Sequence, residues 1–147
     1  MQGFDPELAN PAHAGVFYVA LDELDLMSRH AHAAQLEVRR VDLSGIGDRA
    51  TLLLRIAVSV DAPVAAGRSW DALSEALRDL HWLGARGYVL LFDGAGEMHD
   101  TDEQDFDALI GMLDQVQAAW LARGVPFWAF LALRDADFEA MRRAPAL

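Results

Sequence analysis

Apolar positions along the chain change period several times, and each change marks an element. GVFYVAL (15–21) has the aromatic and β-branched content of a strand, DELDLMSRHAHAAQ (22–35) spaces its apolar residues as a helix does, and LEVRRVDL (36–43) returns to a strand. The arginines of that second strand place it where water reaches one side. Ser44, Gly45 and Gly47 then break the chain, and DRATLLLRIAVSV (48–60) has the apolar density of a mostly buried helix. Pro63 and Gly67 frame a loop. A further helix is predicted over 70–82, with Ser69 as N-cap and Gly84 as the stop beyond its end. YVLLF (88–92) and PFWAFLAL (126–133) are apolar at every position, which suits parallel strands covered on both faces.

Between those two strands, Phe106, Leu109, Ile110, Leu113, Val116 and Trp120 keep helical period up to Arg123, where Gly124 and Pro126 end the helix. Thr101 with Gln104 has capping-box spacing, and DGAGEMHDTDEQD (93–105) reads as a helix-capping loop. Strand, long helix, strand is a βαβ unit, so the fold class is α/β with a parallel sheet. Residues 1–14, with Gly3, Pro6 and Pro11 and no apolar period, are expected to form a flexible leader without packing. The rest, 15–147, reads as a single domain: an N-terminal strand and helix (15–35), a core (36–134), and a short helix and tail (135–147).

Charge narrows the function. Twenty-three acids oppose twelve bases, a formal net charge of -11, so nucleic acid and anionic membranes are repelled and a basic partner is expected. With no cysteine there is no disulfide framework, thiolate metal site or cysteine nucleophile. The N-terminus lacks a signal-peptide pattern and the longest apolar run, VPFWAFLAL, is too short to span a membrane, so a cytoplasmic location is expected. His30 and His32 lie two apart, on different helix faces, and the loop after 93 lacks the ligand order of a calcium site. Gly94 and Gly96 are followed by His99 where a dinucleotide fingerprint needs a third glycine, and no Gly-x-Ser-x-Gly elbow exists. No cofactor, metal or enzymatic activity is expected.

The segment GRSWDALSEALRDLHW (67–82) carries the most information. At about 100° per residue, Trp70, Leu73, Ala76, Leu77 and Leu80 fall on one side of the helix, and Asp71, Glu75, Arg78, Asp79 and Trp82 on the other. Asp71, Glu75 and Asp79 are successive i, i+4 neighbours, a stack of like charges that Arg78 relieves only in part. Periodicity alone leaves this face either as ordinary solvated helix or as a working surface, and an indole on the polar side is a feature of interfaces.

Together with VDLSGIGDRATLLLRIA and the proline-containing loop before it, that segment resembles the barstar-like family of small ribonuclease inhibitors over roughly residues 38–133. The resemblance implies a three-stranded parallel sheet flanked by helices, to which the N-terminal extension adds a fourth strand. It also implies an inhibitor or immunity protein that blocks a basic ribonuclease or toxin nuclease through this helix face. Asp71 matches the motif aspartate, and Glu75 the acid that stands in for an RNA phosphate. Gly67, Ser74, Arg78, Asp79 and Trp82 complete the expected contact set. Val64, Ala65 and Ala66 stand where the family loop commonly carries aromatics, and Ala119 and Arg123 where the best-known inhibitor ends its long helix with acids, so a different contact area is expected. The alternative function is an interaction module on the same fold with a non-nuclease partner.

Overall fold

A computed structural model describes residues 8–137 and Glu139 of the chain. Its four strands, β1 (Val16–Ala20), β2 (Glu37–Asp42), β3 (Tyr88–Asp93) and β4 (Phe127–Leu133), form one sheet in the order β1-β4-β3-β2, every pair parallel. The two wholly apolar strands therefore pair with each other at the centre, Leu90 opposite Ala129 and Leu91 opposite Phe130. All seven residues of β4 are buried, as a strand covered on both faces requires. The N-terminal strand adds itself as the fourth, against β4. Both predictions hold.

The edge strand β2 takes the charges. Arg40 Nε donates to Asp93 at 2.9 Å and its Nη1 to Asp25 at 2.9 Å, contacts that raise its pKa above the ordinary arginine value. Arg39 reaches Glu37 at 2.8 Å and Asp61 at 2.7 Å. A charged edge is poorly suited to pairing with another chain.

Because successive strand residues point to opposite faces, the sheet separates two cores. Val89, Leu91, Trp128 and Phe130 face α1 (Glu23–Ala33) and its Leu24, Met27 and Ala31. Leu90, Phe92, Phe127, Ala129 and Leu131 face the second layer, made by α2 (Arg49–Ser59), α3 (Trp70–Asp79), α4 (Ala95–Thr101) and α5 (Glu103–Ala122). From α2, Leu52, Leu53, Ile56 and Ala57 are buried there, the i, i+3, i+4 stripe of an amphipathic helix.

Three expectations are corrected. The loop at 93–105 contains the helix α4, entered at Gly94 with φ of 76°, where an added Cβ would lie 2.6 Å from the Ser44 nitrogen. The cap of α5 is Asp102, whose Oδ1 accepts from the Asp105 N–H at 3.1 Å, while Thr101 Oγ1 donates to Glu97 O at 3.0 Å. Thr101 is thus the last residue of α4 and not the N-cap of α5. Described residues of the leader also pack: Leu8 is 2% exposed within the α1 core, and its carbonyl accepts from Trp128 Nε1 at 2.9 Å. Asn10 caps a 3-10 turn at Pro11–His13, and Gln117 Nε2 holds the Ala14 carbonyl at 3.2 Å. Of the predicted last helix, residues 135–137 are helical, and Phe138 and 140–147 lie outside the described residues.

Leu8 and its carbonyl have a measurable consequence. Removing residues 1–14 strips one buried leucine and leaves the buried indole N–H of Trp128 unpaired. The expected loss is about 2–4 kcal/mol of unfolding free energy, read from urea denaturation.

Candidate functional site: an acid-rimmed groove beside helix α3

Ser69, extended at φ −158° and ψ 164°, starts α3 by accepting the Ala72 N–H on its hydroxyl at 3.0 Å. Leu73 and Leu77 are fully buried and fix which face turns inward, and Trp70 packs half-buried on the same core. Asp71, Glu75, Arg78 and Asp79 are consequently exposed. The helix ends earlier than its sequence implies. Leu80 turns left-handed, at φ 46° and ψ 26°, and is itself buried. Burying Leu80 outweighs the strain of a positive φ at a non-glycine residue.

The acids of α3 are not equivalent. Asp79 is held by His81, whose Nδ1 lies 3.0 Å from both carboxylate oxygens. Asp71 and Glu75 form no hydrogen bond or ion pair with any described residue. Arg78 does not relieve them, because its Nε donates to the Ser74 carbonyl at 3.3 Å. Arg123, from the end of α5, stacks 4.0 Å over the Trp120 ring and donates to the Arg78 carbonyl, capping the C-terminus of α3. Asp71 and Glu75 are therefore two carboxylates one turn apart, with their hydrogen-bonding capacity open to another molecule.

Three other expected contact residues are placed differently. Ser74 is only 7% exposed: one position after Leu73 and three before Leu77, it lies on the flank of the buried stripe and has little surface to offer a partner. Gly67 sits in a 3-10 turn, Val64–Arg68, that lies tight against α2; a Cβ there would come 3.1 Å from the Leu54 Cα, closer than ordinary van der Waals contact. Trp82 lies beyond the helix, so the helical arithmetic does not apply to it. Its Nε1 donates to the Val60 carbonyl at 2.8 Å, anchoring the half-buried indole against the end of α2.

Between α3, the 3-10 turn and Trp82 lies an open groove of about 580 Å³. Glu75, Asp79 and Asp61 stand on its rim with His81, and Ala62, Ala65, Ala66, Ala72 and Ala76 supply apolar surface. Asp71 stands outside it, one turn before Glu75. Asp61 is a site residue that sequence reasoning misses. It has φ of 57° just past the end of α2, and the signal was an aspartate where a helix stops before Ala-Pro, since short polar side chains tolerate the left-handed conformation. No group of His, Cys, Asp and Glu among the described residues could hold a metal ion, and no described helix is long and apolar enough to cross a membrane.

The described residues thus form a parallel α/β layer structure with an acidic concave surface beside α3. Residues 36–132 match the family described as Barstar (barnase inhibitor), and the chain belongs to that family. Comparison with curated proteins gives no match. Among solved structures the chain is similar to the ORC2 protein of Aeropyrum pernix in its ADPNP–ADP complexes, at 16% identity and a TM-score of 0.59. That similarity covers 88% of this chain and 37% of the other, and at such identity it concerns the fold alone.

Proposed function

We propose that the chain binds and blocks a basic ribonuclease or a related toxin nuclease, with Asp71 and Glu75 directed into the enzyme's cationic site. The observation that carries this reading is the pair of exposed carboxylates of α3, Asp71 and Glu75, which have no partner among the described residues and stand at or beside the acid-rimmed groove. A carboxylate accepts two parallel hydrogen bonds from a guanidinium, as a phosphate does, so groups that hold RNA can hold Glu75 instead. The net charge of -11 steers a basic enzyme toward this surface. In this role the protein performs no catalysis and uses no cofactor, and it acts in the cytoplasm, where it shields RNA from the enzyme.

One observation favours the second reading, a non-nuclease partner on the same fold. The turn before α3 offers only Val64, Ala65 and Ala66, and the far end of the surface is capped by Arg123 rather than an acid. The test is a titration of RNA cleavage by barnase and other basic microbial ribonucleases, including any encoded beside this gene. Stoichiometric loss of cleavage is expected for at least one enzyme. Its association rate should fall about tenfold or more between low and high salt, as screening removes the attraction. Cleavage unchanged by excess folded protein across the panel favours the non-nuclease partner.

A further inference from the structure

Across the 3-10 turn from the groove lies an apolar surface that Asp71 and Glu75 leave unused. Six large hydrophobic side chains stand exposed among the described residues, and three of them gather here: Leu54 at 44%, Val58 at 63% and Val64 at 75%. Leu54 and Val58 are i, i+4 neighbours on the exposed side of α2, and Asp61, two residues past the end of that helix, stands in the groove wall. The turn packs on α2, its Gly67 against the Leu54 backbone, and carries the exposed Val64 next to Ala65, which lines the groove. In a chain with 23 acids, α2 contains none, and its two arginines are engaged: Arg49 with Asp105 at 2.8 Å, Arg55 with the Asp42 and Ser44 carbonyls at 3.0 Å. Its outer face is thereby left apolar and without free charge.

An apolar patch bordered by charge on one side is how interfaces are built, with the dry area excluding water beside the ion pairs. A second copy of the chain is a poor occupant. Two-fold pairing places like surfaces together, and would bring the Glu75 carboxylates of two chains, each of net charge -11, into proximity. A basic protein has no such penalty. We propose that the partner's footprint crosses the 3-10 turn onto α2, with Leu54, Val58 and Val64 seated against an apolar ridge beside the partner's cationic mouth. This extension rests on the reading that the acidic face meets a basic nuclease. It supplies the contact area that the small residues of the turn do not provide.

The experiment compares the parent chain, the double variant Leu54→Gln/Val58→Gln and Glu75→Lys by stopped-flow binding, using the ribonuclease of the panel that the parent inhibits best. The double variant should dissociate about thirtyfold faster with association little changed, since lost apolar contact acts on lifetime. Glu75→Lys should instead slow association, and slow it in a salt-dependent way. Both α2 side chains are exposed, so circular dichroism should show parental folding; Val64→Gln, outside any α-helix, gives the same readout should the double variant unfold. Parental binding by the α2 variants alongside failure of Glu75→Lys overturns the extension and leaves the acidic site standing. If the parent inhibits no enzyme, the site reading falls and takes the extension with it. A parental dimer that becomes monomeric on Leu54→Gln/Val58→Gln assigns the patch to a second copy and overturns the proposal.

Discussion

Glu75→Lys is expected to weaken binding of a basic nuclease by several kcal/mol, a magnitude borrowed from close charge pairs of the barnase–barstar complex. Two effects add. The substitution removes a carboxylate that no described side chain engages, and it sets a cation against the partner's cations. Asp71→Ala should cost less, about 1–3 kcal/mol for one charge-assisted contact. Part of that loss would come from the first turn of α3, where a negative charge favours the helix dipole. Neither side chain is buried, so thermal unfolding should stay close to the parent's. Calorimetry on folded variants reads the difference, and equal affinity for parent and Glu75→Lys would make this face solvated helix and nothing more.

The second large effect concerns the sheet face that α1 covers. A chain beginning at residue 36 retains the family-matched segment but loses β1, α1 and Leu8. Val89, Leu91, Trp128 and Phe130, each at most 1% exposed, then face water on one side, and β4 becomes a bare apolar edge. Exposing a buried large side chain costs about 1.5–3 kcal/mol, so four of them amount to about 10 kcal/mol, comparable to the whole stability of a domain this size. The shortened chain should fail to unfold cooperatively as a monomer and should associate through its exposed edge and face. Size-exclusion chromatography with urea denaturation decides the matter. A soluble monomer of parental stability would make the N-terminal extension an appendage.

Strands were the most legible part of the chain. YVLLF and PFWAFLAL have no polar residue to turn outward, and only a central parallel position accommodates such segments. Helix faces were legible wherever the helix continued, which is why Leu73, Leu77, Asp71 and Glu75 lie as the 100° arithmetic requires. It does not reach Trp82, because the helix stops at Asp79 with Leu80 buried in a left-handed turn, a tertiary effect with no local signature, although Trp82 still lines the groove with Glu75 and Asp79. Ser74 entered the expected contact set through the family resemblance alone, and a small hydroxyl on the flank of a buried stripe is easily covered by neighbouring elements. The α4 segment concealed a helix behind glycines and acids, because residues that usually signal a loop also suit a short helix with a left-handed glycine entry. Leu8 was invisible for a different reason. One leucine among prolines makes no pattern, and its burial depends on an indole 120 residues later.

The groove was half legible. Glu75 and Asp79 follow from helix periodicity, whereas Asp61, Ala62 and His81 join them only because the turns after α2 and α3 meet in space. Where those turns meet, one concave acidic surface, and not an isolated helix face, is proposed to receive the partner. The most direct test is amide hydrogen exchange of the chain, free and bound to the ribonuclease it inhibits. Slowed exchange is expected in residues 61–82, covering the groove turn and the outer face of α3, with α1 and β1 unchanged. Protection confined to α1, β1 or the β2 edge, with 61–82 exchanging as in the free chain, would contradict it.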